Sequence, residues 1–405
     1  MSNLDKLINE LCPDGVEKVP LWRVTIWDKR FNSVEKSKQP LVKNYPYLLA
    51  ADLFALEKEG GDVFLLSTGE QTGWTTEELA GENLREGEVV AIPWGKSRPV
   101  AEVIKYYKGK FVTADNRIAT SADCNKLDNK YLFYWMQSQG RTIDSFYRGS
   151  GLKHPNMKDV LDLQIPLPPI EVQREIVRIL DNFAELTAEL TAELTARKKQ
   201  YEYYQNILLT CDGFNIEPVD KKLGKEIQWL TLGEVCTLKA GKTISSTEIF
   251  HEPFGKYQYP CFGGNGLRGY VKSYNQEGNF SLIGRQGALC GNVCYASGKF
   301  YATEHAVVVE PKGKCDERFL YYILIAANLN QYKTAGAQPG LSVAKLEKVL
   351  VLIPSMSAQK RIVDILDRFD ALCNDITIGL PAEIEARQKQ YEYYRDKLLS
   401  FKEKK

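Results

Sequence analysis

The chain has 405 residues, 44% of them hydrophobic and 26% charged, with a formal net charge of +1. That length is too great for one ordinary core, and the balance is that of a globular chain of two or three domains. A uniformly basic nucleic-acid binder is excluded, so any phosphate neutralisation has to come from local patches or partner subunits.

No stretch of about 18 apolar residues is present, so no membrane span is expected. The opening MSNLDKLINE has early acids and no apolar region, so it does not read as a signal peptide. Nine cysteines without a CxxC pair suit a reducing cytosol, and a cytoplasmic location is expected.

In chain order, the first elements are short β-type runs punctuated by Gly, Pro and Asn, such as Glu88 to Pro93. A helical patch comes next at Lys130 to Ser138. Pro168-Pro169 then precedes a long helix-like stretch, a position where a Pro-bounded strand gives way to a helix. Within it Ala184-Glu185-Leu186-Thr187 recurs at 188–191 and 192–195, placing Leu186, Leu190 and Leu194 four apart in a slowly turning apolar stripe. The pattern then begins again. Ala306 to Val309 reads as a strand, Glu317 to Ala327 as a helix, and Pro354 precedes a second long helix.

The chain is written twice, at an offset of about 190 residues. Ile176-Val177-Arg178-Ile179-Leu180-Asp181-Asn182-Phe183 returns as Ile362-Val363-Asp364-Ile365-Leu366-Asp367-Arg368-Phe369. ARKKQYEYY, starting at Ala196, returns as ARQKQYEYY, starting at Ala386, with eight of nine positions identical. Upstream, Leu127 to Tyr134 resembles Cys315 to Tyr322, Gly109-Lys110-Phe111 matches Gly298-Lys299-Phe300, and Val19-Pro20-Leu21 parallels Leu230-Thr231-Leu232. The chain thus divides into a globular region at 1–167, a helical spacer at 168–212, a second globular region at 213–353 and a second spacer at 354–405. The fold class expected is α+β, two tandem α/β domains with an internal pseudo-twofold duplication. Each is followed by a helix of about 40 residues. Helices of that length need a partner, and each is the other's nearest candidate, paired antiparallel as a coiled coil.

Catalytic motifs are missing. Gly264-Asn265-Gly266-Leu267-Arg268-Gly269 fits GxGxxG, and Phe262 to Gly266 fits the FxGxG of adenosylmethionine-dependent methyltransferases. Both need a helix N-terminus after the glycines, whereas Tyr270 to Asn275 reads as strand and turn. No Asn/Asp-Pro-Pro-Tyr motif, GxSxG, HExxH or P-loop is present. Cys290, Cys294 and His305 are the nearest approach to a zinc set and lack its spacing. The expectation is a non-catalytic chain with no metal site and no cofactor of its own. Tyr45, Trp74, Trp94, Tyr106 and Tyr107 are candidates either for base stacking or for ordinary core packing. Arg197-Lys198-Lys199 is a candidate phosphate contact or a solvated helix face.

Two unlike globular domains, each followed by a long helix, with the helix motif Gln173…Ile176-Val177…Leu180-Asp181 and its copy Gln359…Ile362-Val363…Leu366-Asp367, resemble the specificity subunit (HsdS) of type I restriction–modification systems. The threefold AELT run, read as TAEL, resembles the type IC group. Ile283-Gly284-Arg285-Gln286-Gly287, Tyr301-Ala302-Thr303-Glu304-His305 and Phe262 to Gly266 look like segments of its target recognition domains. The first domain departs at this point, carrying Ile92-Pro93-Trp94-Gly95-Lys96 where the second has IGRQG.

The resemblance implies that each domain reads half of a split, asymmetric site in double-stranded DNA. It implies that the helices set the spacing and dock two methyltransferase (HsdM) subunits, which two restriction (HsdR) subunits join. S-adenosylmethionine, ATP and Mg²⁺ would belong to those partners. Base reading needs Arg, Lys, Asn or Gln in polar, turn-rich segments. That selects Lys29, Arg30, Lys36, Lys38, Gln71, Lys96, Ser97, Arg98, Arg148, Lys153 and His154 in the first domain. In the second it selects Lys242, Ser245, Ser246, Asn265, Arg268, Arg285, Gln286 and Gln338. A helical dimerisation scaffold that binds no nucleic acid is the alternative that the near-neutral charge favours.

Overall fold

Two six-stranded mixed sheets organise the chain, and they share one topology. The computed structural model describes residues 3–95, 98–151, 153–209, 227–287, 289–313, 315–334 and 339–404. The first sheet contains β1 (Thr25–Trp27), β2 (Val63–Leu66), β3 (Gly73–Thr75), β4 (Arg85–Pro93), β5 (Lys105–Thr113) and β6 (Asn116–Ser121), in the order β1-β6-β4-β5-β2-β3. The second contains β7 (Cys236–Ala240), β8 (Tyr259–Gly263), β9 (Gly266–Val271), β10 (Gln276–Gly284), β11 (Val293–Ala302) and β12 (Ala306–Pro311), in the order β7-β12-β10-β11-β8-β9. In both, one strand pair is parallel, β2 with β5 and β8 with β11.

The inner stretches of the central strands, Val89 to Pro93 and Ala306 to Val309, are apolar without a break because both of their faces are covered. A strand alternates its side chains between faces. Val90 and Ile92 therefore join one core with Tyr131 and Trp135, while Val89 and Ala91 join another with Leu66, Phe111 and Ile118. In the second domain Ile283, Val307 and Val309 face the helices, and Leu282, Ala306 and Val308 face Phe300 and Ala302.

The chain forms two compact units. Unit 1 comprises residues 1–189 and 385–405, and unit 2 residues 190–384. In unit 1 the helix α1 (Asn129–Ser138) starts on Asp128, whose carboxylate accepts from the backbone N–H of Lys130 and Tyr131. The long helix α2 (Ile170–Leu209) comes directly after Pro169 and supplies its first half to unit 1 and its second half to unit 2. In unit 2 the helix α3 (Glu317–Ala326) is capped by Asp316 in the same way as α1. Its helices α4 (Met356–Asn374) and, in part, α5 (Leu380–Leu398) complete the chain.

The two domains use the same polar latch to hold their helices. Gln173, with no exposed surface, accepts from the Asp128 N–H at 2.9 Å and donates to the carbonyls of Lys126 and Pro168 at 2.7 Å each. Gln359, equally buried, accepts from the Asp316 N–H at 2.8 Å and donates to the Pro354 carbonyl at 2.8 Å. Further along the helix, Asp181 takes Lys130 at 2.8 Å and the Tyr134 hydroxyl at 2.6 Å. Asp367 takes Arg318 at 2.7 Å and the Tyr322 hydroxyl.

The duplicated helix motifs pair reciprocally. In unit 1 Phe183 stacks on Tyr394 at 5.5 Å, and in unit 2 Phe369 stacks on Tyr204 at 5.4 Å. Each unit thus holds one such stack between α2 and the second spacer.

Two expectations need correction. The second spacer is not one helix of about 40 residues but α4 and α5 with a turn between them. The Asp375 carboxylate accepts from the Thr377 and Ile378 N–H groups, and a Cβ on Gly379 would lie 2.5 Å from the Ala371 carbonyl oxygen. Pro381, which carries no N–H, then occupies the first turn of α5. The apolar stripe of α2 also differs. Leu190 and Leu194 are half-buried, but Leu186 is 48% exposed. The covered positions are 183, 187, 190, 194, 197 and 201, alternating steps of four and three. A strict step of four overshoots the helical repeat of 3.6 and leaves the seam, which the alternating 4-3 pattern follows.

Replacing Gln173 by Ala leaves the Asp128 N–H and two carbonyls without partners in a buried site. The expected cost is about 2–4 kcal/mol, read as a lower urea midpoint of the unit 1 transition. Gln359→Ala should act equally on unit 2. A shift in either variant no larger than that of a surface Gln→Ala control would show that the latch holds nothing.

Candidate nucleic-acid interface

In both sheets the same edge gathers part of the candidate set: the end of the long central strand β4 or β10, the start of its neighbour β6 or β12, and a nearby hairpin. The backbone there is closed by equivalent hydrogen bonds. Trp94 N–H donates to the Asp115 carbonyl at 3.1 Å, and Arg285 N–H donates to the His305 carbonyl at 3.0 Å. The strand pairs just before these bonds also match, Pro93 with Asn116 and Gly284 with Ala306.

In the second domain the edge is a cleft of about 620 Å³, lined by Gly264, Asn265, Arg268, Gln286, Gly287, Leu289, His305 and Gly340. The glycines that mimic a cofactor motif are explained here. Gly263 pairs with Gly266 across a two-residue hairpin turn, and the chain continues directly into strand β9, with no helix to receive a phosphate. A Cβ on Gly284 would fall 1.9 Å from the Gly264 carbonyl oxygen, so only glycine lets the two loops meet. The loop at 339–341 covers the other side, with Gly287 N–H bonded to the Pro339 carbonyl at 3.1 Å and Leu341 N–H to the Arg285 carbonyl at 2.9 Å. Several side-chain atoms around this edge are buried without a partner: Arg285 Nε, Thr303 Oγ1, Glu304 Oε2 and His305 Nδ1. Such atoms cost free energy until something bonds them.

The cleft thus unites Asn265, Arg268 and Gln286 from the sequence reading, with Arg285 beside it, directly after strand β10. Lys242, exposed, pairs its backbone with Ala302 and Thr303, and Ser245 caps the turn at Thr247; neither they nor Ser246 line the cleft. Sequence reasoning missed His305 as a site residue because a lone histidine carries no spacing signal. Gln338 lies outside the described residues, as do Lys96 and Ser97.

The first domain solves the same edge differently. Its hairpin between β2 and β3 is longer and carries Gln71, exposed. That loop is held by Lys105, whose ammonium donates to the Ser67 carbonyl at 2.8 Å, to Ser67 Oγ at 2.7 Å and to the Gly69 carbonyl. Asn116 Nδ2 ties the hairpin to the start of β6 through the Leu66 carbonyl at 2.9 Å. Beside it Trp94 carries the Arg117 guanidinium 3.8 Å from its ring centre, and His154 stacks on it at 4.4 Å. Arg117, 5% exposed, pairs with Asp115 at 2.7 Å, yet its Nε is buried without a partner. It escaped the sequence reading because it lies inside a strand.

Many of the first domain's chosen cations are already engaged. Lys29 pairs with Asp115 at 3.1 Å and lies over Tyr47, Lys38 pairs with Asp162 at 2.6 Å, Arg98 with Glu70, and Arg148 with Asp159 at 3.3 Å. Arg30, Lys36 and Lys153 are exposed, with no ion pair among the described residues. Of the aromatic candidates, Tyr45 and Tyr107 pack against Phe111 and Phe64, and Tyr106 donates to Glu88 at 2.7 Å, which makes them framework. Trp74 stays 45% exposed. Arg197 pairs with Glu193 and Gln200 on its own helix, and Lys198 and Lys199 are exposed. Cys290 and Cys294 belong to different cores, so they do not assemble a zinc set with His305.

The family model for the type I restriction modification DNA specificity domain matches residues 37–197 and 224–386. The chain belongs to this family. It is 45% identical over 267 residues to the type I restriction enzyme EcoprrI specificity subunit of Escherichia coli, a match covering 63% of this chain and 64% of that one. It is 34% identical over 313 residues to the EcoR124I/EcoR124II specificity subunit of Escherichia coli, covering 70% and 74%. The chain therefore spans just under two thirds of the first relative's length. Among solved structures, the type I restriction–modification S subunit from M. genitalium superposes with a TM-score of 0.64 at 18% identity over 94% of this chain and 95% of that one, a likeness of fold. The two sheet domains are thus two copies of the specificity-domain fold, and no helix among the described residues is long and apolar enough to cross a membrane.

Burial lowers the Lys105 ammonium to about 8, against an ordinary lysine value of about 10.4. Between those values the unfolded chain holds more protons than the folded one, so the stability of unit 1 rises with pH across that window. In Lys105→Met that rise should disappear, along with the order of the Gln71 loop. Denaturation midpoints at pH 7, 9 and 10 check it; equal pH slopes in the two proteins would remove Lys105 from this role.

Proposed function

We propose that this chain is the DNA-reading subunit of a type I restriction–modification complex and is not itself catalytic. Each domain reads one half of a bipartite, asymmetric site in duplex DNA. The antiparallel helices fix the distance between the halves and dock two methyltransferase subunits, and through them two restriction subunits. Methylation at adenine N6 from S-adenosylmethionine, and ATP- and Mg²⁺-dependent cleavage, belong to those partners. The complex works in the cytoplasm.

The observation that carries this reading is a repeated frame with unlike edges. Two sheets of one strand order are latched to helices by the same buried glutamine, yet they present Trp94, Gln71 and Arg117 at one edge and Arg285, Asn265 and His305 at the other. A pair of identical readers would recognise a palindrome; a pair that differs only at the edge recognises two different half-sites. Cleft-lining donors such as Arg268 and Gln286 suit guanine and adenine edges in the major groove.

Methylome sequencing of cells expressing this chain with a matching methyltransferase subunit should reveal N6-methyladenine in a split asymmetric motif that is lost when the chain is omitted. Methylation unchanged without the chain would favour a helical scaffold instead. The AELT run adds a geometric test. Four helical residues add about 6 Å and one base pair about 3.4 Å, so deleting residues 192–195 should shorten the spacer of the methylated motif by about one or two base pairs. An unaltered spacer would refute the helices as a ruler.

A further inference from the structure

We infer that Arg285, backed by His305, is the specificity-determining residue of the second domain and reads a guanine, and that Trp94 occupies the equivalent position in the first domain, where it imposes a different base. This rests on the DNA-reading function proposed above.

Three observations converge on the position. The first is equivalence of backbone. Trp94 and Arg285 each donate their N–H across the same strand pair, to Asp115 and His305 respectively, at 3.1 and 3.0 Å. Two residues earlier, both domains bury an isoleucine completely, Ile92 and Ile283. The backbone frame is therefore shared up to the edge, and the side chain carried at this position differs.

The second is an unmet donor in each domain. Arg285 Nε is buried with no acceptor, and so is Arg117 Nε, beneath Trp94. A buried guanidinium nitrogen without an acceptor is unfavourable. That buried atom is out of a ligand's reach, but Arg285 as a whole is half-buried, and the remaining donors of its guanidinium fork match the O6 and N7 pair of guanine in the major groove.

The third is the contrast in how the two arginines are held. Arg117 is neutralised by Asp115 at 2.7 Å and sits 3.8 Å from the Trp94 ring centre, with His154 stacked on the same ring at 4.4 Å, so the half-buried Trp94 offers an indole edge in place of a cation. Arg285 has no carboxylate partner among the described residues, and its neighbours Gln286 and His305 line the cleft with Asn265 and Arg268. A guanidinium without a carboxylate partner suits an acceptor edge, whereas the apolar edge of an indole suits an apolar group, such as the methyl of thymine.

The test is binding selection from a pool of random duplexes, using the full-length chain purified with its methyltransferase partner. The wild type should enrich a bipartite motif; absence of any motif would defeat the DNA-reading function itself, whatever Arg285 does. In Arg285→Ala, preference for one guanine in one half-site should fall by about tenfold or more, with the other half-site read as before. That untouched half-site also serves as the internal control for folding of the rest of the chain. Arg285→Gln, which keeps a polar but shorter side chain with both a donor and an acceptor, should move the preference at the same position toward adenine. Trp94→Ala should relax a position in the other half-site only. The assignment is overturned if folded Arg285→Ala and Arg285→Gln enrich the wild-type motif. It is equally overturned if they weaken binding to all sequences alike, which would mark Arg285 as a phosphate contact.

Discussion

A glutamine side chain with no exposed surface joins each sheet domain to its helix, and the geometry of everything else depends on it. Gln173 spends its acceptor on the N–H of Asp128 and its donors on two carbonyls; Gln359 repeats the arrangement at Asp316 and Pro354. A primary amide is suited to this place because it both donates and accepts. A carboxylate would meet carbonyl oxygens, and an apolar side chain would leave three backbone groups unpaired. The N–H it accepts belongs to the residue whose carboxylate caps α1 or α3, so the latch, the cap and the start of the long helix form one connected network. Asp181 and Asp367 extend it along the helix through a cation and a tyrosine hydroxyl. Burial, together with hydrogen-bonding to these carboxylates, pushes the Tyr134 and Tyr322 hydroxyls far above their usual range, so both remain donors at any physiological pH.

A frame fixed in this way leaves the opposite edge of the sheet free to vary, and the two domains vary it by different physical means. The second domain brings the hairpin turn at Gly264 into backbone contact with the strand end at Gly284, which forbids any side chain at Gly284. The first keeps a longer hairpin and fastens it with one ammonium group, Lys105, that satisfies three oxygens at once. Glycine contact gives a tight turn that displays Asn265; the lysine anchor gives a wider loop that displays Gln71. The same topological hairpin thus presents different reach and different chemistry without any change in strand order.

What the sequence revealed, and what it hid, divides along the same line. The frame was legible because its residues recur: the Gln…Ile-Val…Leu-Asp motif and the QYEYY run turn out to be the latch and the reciprocal Phe–Tyr stacks of the helices. The break between α4 and α5 was less so, since Asp375, Gly379 and Pro381 act together while each alone is tolerated near a helix end. Leu186 misled because a four-residue repeat imitates a helical face over a short span and drifts off it over a longer one. The edge was legible only in part. Asn265, Arg268 and Gln286 announced themselves as polar residues among glycines, but Arg117 and His305 gained their meaning from which strands meet, and no local pattern encodes that.

The near-neutral charge that first argued against a nucleic-acid ligand has a structural explanation in the first domain. Lys29, Lys38, Arg98 and Arg148 are present but are held by Asp115, Asp162, Glu70 and Asp159. Exposed pairs of this kind are worth at most about 1 kcal/mol each, because water and salt screen them. A DNA phosphate offers the same cation a comparable partner, along with release of counterions from the duplex. On the proposed DNA-reading function, exchange of carboxylate for phosphate would therefore cost little, and it would leave carboxylates near the DNA that disfavour a poorly placed backbone. Net charge summed over the chain hides such a surface. Binding is governed by whether each cation's present partner is easily replaced, and for these residues the partial exposure of both members of the pair answers that it is.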